Sequence, residues 1–207
     1  MIGLLIIGAS IYQERKRMQF WMGLADEWGF RYRAGDPYLI AERQEFPFTR
    51  QGHSRRVVNL IEGKVDSRQM LLFDYTYKTG SGKNQSTHHL SMLMLEAPVT
   101  GHQLVIHAEN FLDRIMGFLG FEDINFEYEE FNRAFQVRCD DKKFAYDVIH
   151  SDMMEFLMQD RTLALQWSNN HILFYRSSRR RFDRHEAESI RQAALGFVKR
   201  LPAYMME

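Results

Sequence analysis

Few side chains in this 207-residue chain have a type and spacing suited to chemistry, and Asp74 heads them. It interrupts the apolar run MLLFDYTY (Met70 to Tyr77) and shares strand parity with Met70, Leu72 and Thr76. A carboxylate on a buried face requires a partner, and Arg55 and Arg56, entering the preceding strand, are the expected ones. His88 and His89 follow on the next strand and outline an alternative: a hydrolytic enzyme with a pocket near Asp74, His88 and His89. Neighbouring strand residues point to opposite faces, and no second carboxylate or nucleophile is placed nearby. A structural ion pair is therefore the expected role of Asp74, and no catalytic residue is assigned.

The stretch TYKTGSGKNQSTHH (Thr76 to His89) contains Gly-Ser-Gly-Lys and raises phosphate binding. A nucleotide-binding P-loop needs G-x-x-x-x-G-K-[ST] between a strand and a helix. With Gly82 and Lys83 as the "GK", the first glycine falls on Tyr77 and the hydroxyl on Asn84. Both anchors fail, and apolar segments of strand character lie on both sides. The stretch reads as a hairpin loop that presents Lys83 to solvent.

Cys139 shares parity with Phe135 and Val137, which places it in the core, where a thiol is inert. The eight histidines include no H-x-H strand pair, no H-x-x-x-H helix pair and no H-E-x-x-H motif. Neither a metal nor an organic cofactor is expected. One cysteine excludes an internal disulfide framework.

RSSRRRFDR (Arg176 to Arg184) is the densest charge cluster. Arg176, Arg179, Arg180, Arg181 and Arg184, with Lys83, are the candidate contacts to phosphate groups of lipid or nucleic acid, or to a protein partner. The acidic stretch Glu122 to Glu130 offers compensation. Twenty-seven basic residues against 27 acidic ones give a net charge of zero, so no overall field draws the chain to nucleic acid. Nucleic-acid binding through 176–184 stays as a further alternative, and no small-molecule substrate is assigned.

These groups must be positioned by elements that the hydrophobic pattern suggests. MIGLLIIGASIY (Met1 to Tyr12) is apolar and uncharged, and QERKR follows at once. Twelve residues make about 18 Å of helix, short of the roughly 20 residues of a membrane span. It reads as a short anchor, as the C-terminal half of a span begun upstream, or as a buried core segment. Arg15, Lys16 and Arg17 favour an anchor over residues 1–14 with the remainder cytoplasmic. Trp21, Leu24, Ala25 and Trp28 continue a helical face, which Gly29 stops.

Residues 15–207 then form one soluble domain, with two intertwined halves near 30–107 and 108–207. An irregular connector leads to a meander of strands at 56–65, 69–78 and 88–96, ended by Pro98 and Gly101. A short helix is expected from Asn110 to Gly120, a strand over 133–139, and a helical stretch over 142–159 broken at Ser151-Asp152. TLALQWSNNHILFYR (Thr162 to Arg176) reads as a β-hairpin turning at Asn169-Asn170. An amphipathic helix carried by Ala187, Ile190, Ala194, Phe197, Val198 and Leu201 closes the chain. The order predicts an α+β fold: an antiparallel sheet meander with flanking helices, preceded by an apolar helix.

Several stretches, in this order, resemble an uncharacterised group of bacterial proteins with one N-terminal transmembrane helix and a cytoplasmic domain. They are the apolar run with ERKR, the helix ending in WGF, FPFTRQGHSRRVVN, LLFDYTYKTGSGKNQSTH and FNRAFQVRCDDKKFAYDVI, which cover most of residues 14–160. The last is also similar to part of a broader bacterial membrane-protein family known only as a domain of unknown function. The resemblance implies a membrane anchor, here shorter than the group's usual span, and carries no activity, cofactor or catalytic residue. The expected function is non-enzymatic binding or scaffolding at the cytoplasmic membrane face, with membrane lipid or a membrane protein as partner.

Overall fold

The computed structural model describes residues 2–39, 46–108, 121 and 123–205. The helix expected over Asn110 to Gly120 lies outside the described residues. A single helix α1 (Ile2–Trp28) leads into strand β1 (Arg31–Asp36). A 3-10 turn (Pro47–Arg50) precedes β2 (His53–Val65), β3 (Arg68–Thr79) and β4 (Ser86–Ala108). Then come α2 (Glu129–Ala134), β5 (Phe135–Cys139), α3 (Lys142–Val148), α4 (Ser151–Met158), β6 (Leu163–Arg176) and α5 (Arg184–Lys199).

The six strands form one antiparallel sheet ordered β1-β2-β3-β4-β5, with β6 paired along β4. The fold is α+β, an antiparallel meander with flanking helices. β4 is the spine. Its first half pairs with β3 from Leu95↔Met70 to Ser86↔Thr79, its second half with β5, and β6 runs along both.

Two readings of the central strands change. Pro98 and Gly101 do not end the meander: β4 runs through them. Its register against β6 shifts between Glu96 and Gly101 and again before Leu104. Such bulges tolerate a proline, which has no N–H for the ladder. Thr162 to Arg176 is not a hairpin but the single strand β6. Asn169 takes positive φ (51°), as its turn chemistry allows, yet it is absorbed as an irregularity within the strand. Its carbonyl accepts from the Trp167 indole at 2.9 Å, and Gly101, paired with it, leaves room for that indole: a Cβ there would strike the ring.

Both faces of the sheet are covered. One carries Met70, Leu72, Leu93, Leu95, Ile106 and Leu165 against Trp21, Leu24 and Ala25 of α1 and the helices α3 to α5. The amphipathic reading of α5 holds, for Ala187, Ile190, Ala194, Phe197, Val198 and Leu201 are all buried. Asp183 caps α5, accepting from the Glu186 N–H while Glu186 returns a carboxylate to the cap, the reciprocal pairing of a capping box. The opposite face packs Phe73, Tyr75, Tyr77, Met92 and Tyr175 beneath Phe46 and Phe48 of the 3-10 turn. Burying each such side chain stabilises the fold by about 1.5–3 kcal/mol.

α1 has two regimes. From Arg17 onward it lies against the sheet. Before that it projects: Ile11 and Tyr12 are 51% and 65% exposed, and Gln13 to Lys16 are exposed as well. Among the described residues no helix is long and apolar enough to cross a membrane, so the expectation of a transmembrane helix is not supported by α1.

Candidate functional site

Asp74 is fully buried and is the most heavily bonded side chain described. Arg17 grips it in two places, Nε to Oδ2 at 2.8 Å and Nη2 to Oδ1 at 2.7 Å. Trp21 Nε1 donates to Oδ2 at 2.9 Å, Asn59 Nδ2 to Oδ2 at 3.2 Å and Ser91 Oγ to Oδ1 at 2.6 Å. Five donors satisfy the carboxylate, as a buried charge demands. The expected partners do not supply it. Arg55 turns to the Thr49 carbonyl at 2.7 Å, and Arg56 is exposed.

Local backbone explains the assembly. β2 bulges between Val58 and Ile61, and Asn59 takes φ 51° there, a conformation Asn tolerates better than most residues. The bulge re-aims Asn59 onto Asp74 while its Oδ1 accepts from the Tyr32 hydroxyl at 3.0 Å. Arg17 also donates to the Phe182 carbonyl at 2.6 Å, and Ser91 takes the Phe182 N–H on its Oγ at 2.9 Å. The cluster thus fastens α1, the sheet and the segment before α5 to one point.

The two histidines separate. His88 stacks on Tyr77 at 4.7 Å on one face and reaches the Thr79 hydroxyl at 2.8 Å. His89 lies on the Asp74 face, its Nδ1 3.1 Å from Thr76 Oγ1 and 3.2 Å from Arg181 Nη2. Partial desolvation by its neighbours, and then the positive charge of Arg181, push its pKa below the ordinary value. His89 lines a groove of about 300 Å³ with Arg56, Thr76, Lys78 and Arg181. Asp74 is sealed beneath Arg17 and Trp21 and does not line that groove. A joint Asp–His acid/base pair is therefore not assembled.

Nor do the arginines of 176–184 act as one patch. Arg176 is buried (7% exposed), ion-paired with Asp160 and bonded to Ser189 Oγ at 2.8 Å. Arg179 donates to the Tyr77 hydroxyl at 3.0 Å and lies over the Phe48 ring. Arg184 pairs with Glu27 of α1. Arg180 is exposed, as is Lys83 in the turn after β3. Arg181 lies between two grooves, the second of about 500 Å³ and lined by Lys16, Phe20, Phe182 and Arg184. Cys139 is buried, and that burial pushes its thiol up to about 12. Among the described residues no group of three His, Cys, Asp or Glu side chains is placed to hold a metal ion.

Sequence reasoning missed Lys16 and Phe20 as groove residues. The available signal was the i, i+4 spacing of Lys16 and Phe20, which puts both on one stripe of α1.

An antiparallel α+β domain carried on a long, half-projecting N-terminal helix is thus the class that fold and site define. Among solved structures the chain is similar to the crystal structure of the mycobacterial trehalose monomycolate transport factor A, TtfA, with a TM-score of 0.67 at 11% identity over 88% of this chain and 92% of that chain. At that identity the likeness is one of fold. No protein-family model matches the chain, and no curated protein matches it.

Proposed function

We propose that this protein is a non-enzymatic binding domain held at the cytoplasmic face of a membrane by the apolar end of α1. The observation that carries the reading is the continuity of α1. One uninterrupted helix joins the uncharged stretch before Gln13 to Trp21, Leu24 and Ala25 in the core. The apolar stretch is about 18 Å long, enough to enter about one leaflet of a 30 Å hydrocarbon core. Arg15 and Lys16 are exposed immediately after it, where cations favour the cytoplasmic headgroups. The fold is like that of a protein named as a trehalose monomycolate transport factor. Asp74 is a fastening point, and the exposed Lys83, Arg180 and neighbouring cations form the binding surface.

Fractionation of the full-length protein with a carbonate wash tests this. Retention in the membrane pellet is the expected result. Release into the carbonate supernatant overturns the reading and makes the apolar stretch an oligomer or core contact.

A further inference from the structure

Resting on that membrane reading, we propose that the groove between α1 and residues 181–184 binds the phosphate headgroup of an anionic phospholipid. The groove has a volume of about 500 Å³. Its floor is apolar, formed by Phe20 and the buried Phe182. Four cations line it, and two are already committed: Arg17 to Asp74 and the Phe182 carbonyl, Arg184 to Glu27. The Asp183 carboxylate caps α5.

Lys16 and Arg181 are left. Lys16 is exposed. Arg181 places Nη2 at 3.2 Å from His89 and 3.8 Å from Glu14, but its Nε is buried and makes no hydrogen bond. A buried guanidinium N–H without an acceptor leaves Arg181 incompletely paired. A phosphate oxygen in the groove meets the part-exposed end of the guanidinium with matching charge. On its other side Arg181 meets Arg56 and Lys78 in the smaller groove, so the positive surface continues across the end of the sheet.

Position along α1 selects the lipid form of phosphate. Lys16 lies four residues beyond Tyr12, about 6 Å along the axis. The headgroup layer is about 5–7 Å thick on each side of the hydrocarbon. With the stretch before Gln13 in the hydrocarbon, the groove opens at headgroup depth. Gln13, at its upper end, leads to Ala9 one turn higher on the same stripe of α1. Free phosphate would satisfy Lys16 and Arg181 but leave the partly exposed Phe20 uncovered, whereas a glycerophospholipid covers it.

Native mass spectrometry of the full chain in a neutral maltoside detergent tests the groove, with phosphatidylglycerol, phosphatidylcholine and glycerol 3-phosphate as separate probes. The expected result is a 1:1 phosphatidylglycerol adduct that outcompetes phosphatidylcholine, with no glycerol 3-phosphate adduct. At about fivefold per cation, the pair Lys16→Gln and Arg181→Gln lowers phosphatidylglycerol binding by about 25-fold. Arg133→Gln with Lys143→Gln, exposed cations of α2 and α3 outside the groove, leaves most of it. Lys16→Gln alone removes an exposed charge from a helix surface and gives the fivefold loss even where the double variant melts early. Equal retention of the two lipids, undiminished binding in the Lys16 variant, or an equal loss from the control pair overturns the proposal. Equally strong binding of glycerol 3-phosphate overturns the lipid assignment. Carbonate extraction keeps the two readings apart: the groove variants stay in the membrane pellet, while release of the unmodified chain overturns the anchor reading.

Discussion

Arg17 and Asp74, 57 residues apart in sequence, meet in a two-point ion pair at 2.8 and 2.7 Å whose carboxylate is wholly buried. Removing one partner of such a pair strands the other charge in a dry site, at a cost of about 3–5 kcal/mol. Arg17→Met is expected to lower unfolding free energy by that amount in urea denaturation. Arg17→Met combined with Asp74→Asn is expected to lose less than the sum of the two single changes, since the groups share one network. Strict additivity would refute the coupling.

The arginines of 176–184 divide by burial, and stability measurements should sort them. Arg176→Ala takes the guanidinium from Asp160, which keeps only its Thr162 donors, and from Ser189, and about 2 kcal/mol is the expected loss. Arg180→Ala touches an exposed side chain and should fall within about 0.5 kcal/mol of the unmodified protein. Matched thermal and urea midpoints for the two variants would contradict the assignment.

Asp160 gives stability a pH dependence. Burial alone raises its pKa, but the Thr162 hydroxyl and backbone N–H and the Arg176 guanidinium outweigh it and hold the carboxyl below the usual carboxylate value. The folded pKa is the lower one. The stabilisation is therefore complete above the unfolded value near 4 and is lost as pH falls through the folded value. Melting temperatures taken from pH 7 down to pH 3 should fall more steeply for the unmodified chain than for Asp160→Asn. Parallel curves would exclude the contribution.

Cys139 should be chemically silent in the native protein. Burial pushes its thiol up to about 12, so almost no thiolate exists at pH 8, and access is blocked as well. Iodoacetamide is expected to leave the native thiol unmodified over hours and to alkylate it within minutes in guanidinium. Prompt native alkylation would place Cys139 at the surface.

What the sequence disclosed follows from how local each signal is. The face of α5 was readable because six apolar residues keep a 3.6 period. The core of β3 was readable from its apolar run. β6 was misread because Asn169-Asn170 has the chemistry of a turn, and positive φ at Asn169 serves a strand irregularity equally well. β4 was cut short at Pro98 and Gly101 for the same reason: breaker residues mark bulges as well as ends. β1 escaped notice because RYRAGD is polar, half-exposed and without clean alternation. The need of Asp74 for a partner was legible from parity, but the choice of Arg17 over Arg55 or Arg56 was not. It depends on where α1 crosses the sheet, and no local pattern encodes that.

α1 has no proline and no interruption from its apolar end to Trp28, a rod of about 40 Å. A flexible tether would let the domain tumble about its attachment and present any side to a partner. A rod clamped at Arg17 and Trp21 instead fixes the bearing of the sheet relative to whatever grips its far end. Sideways load on that end becomes torque at Asp74, where α1, β3, β4 and the segment before α5 are joined. With its far end held, α1 acts as a lever whose fulcrum is a single carboxylate.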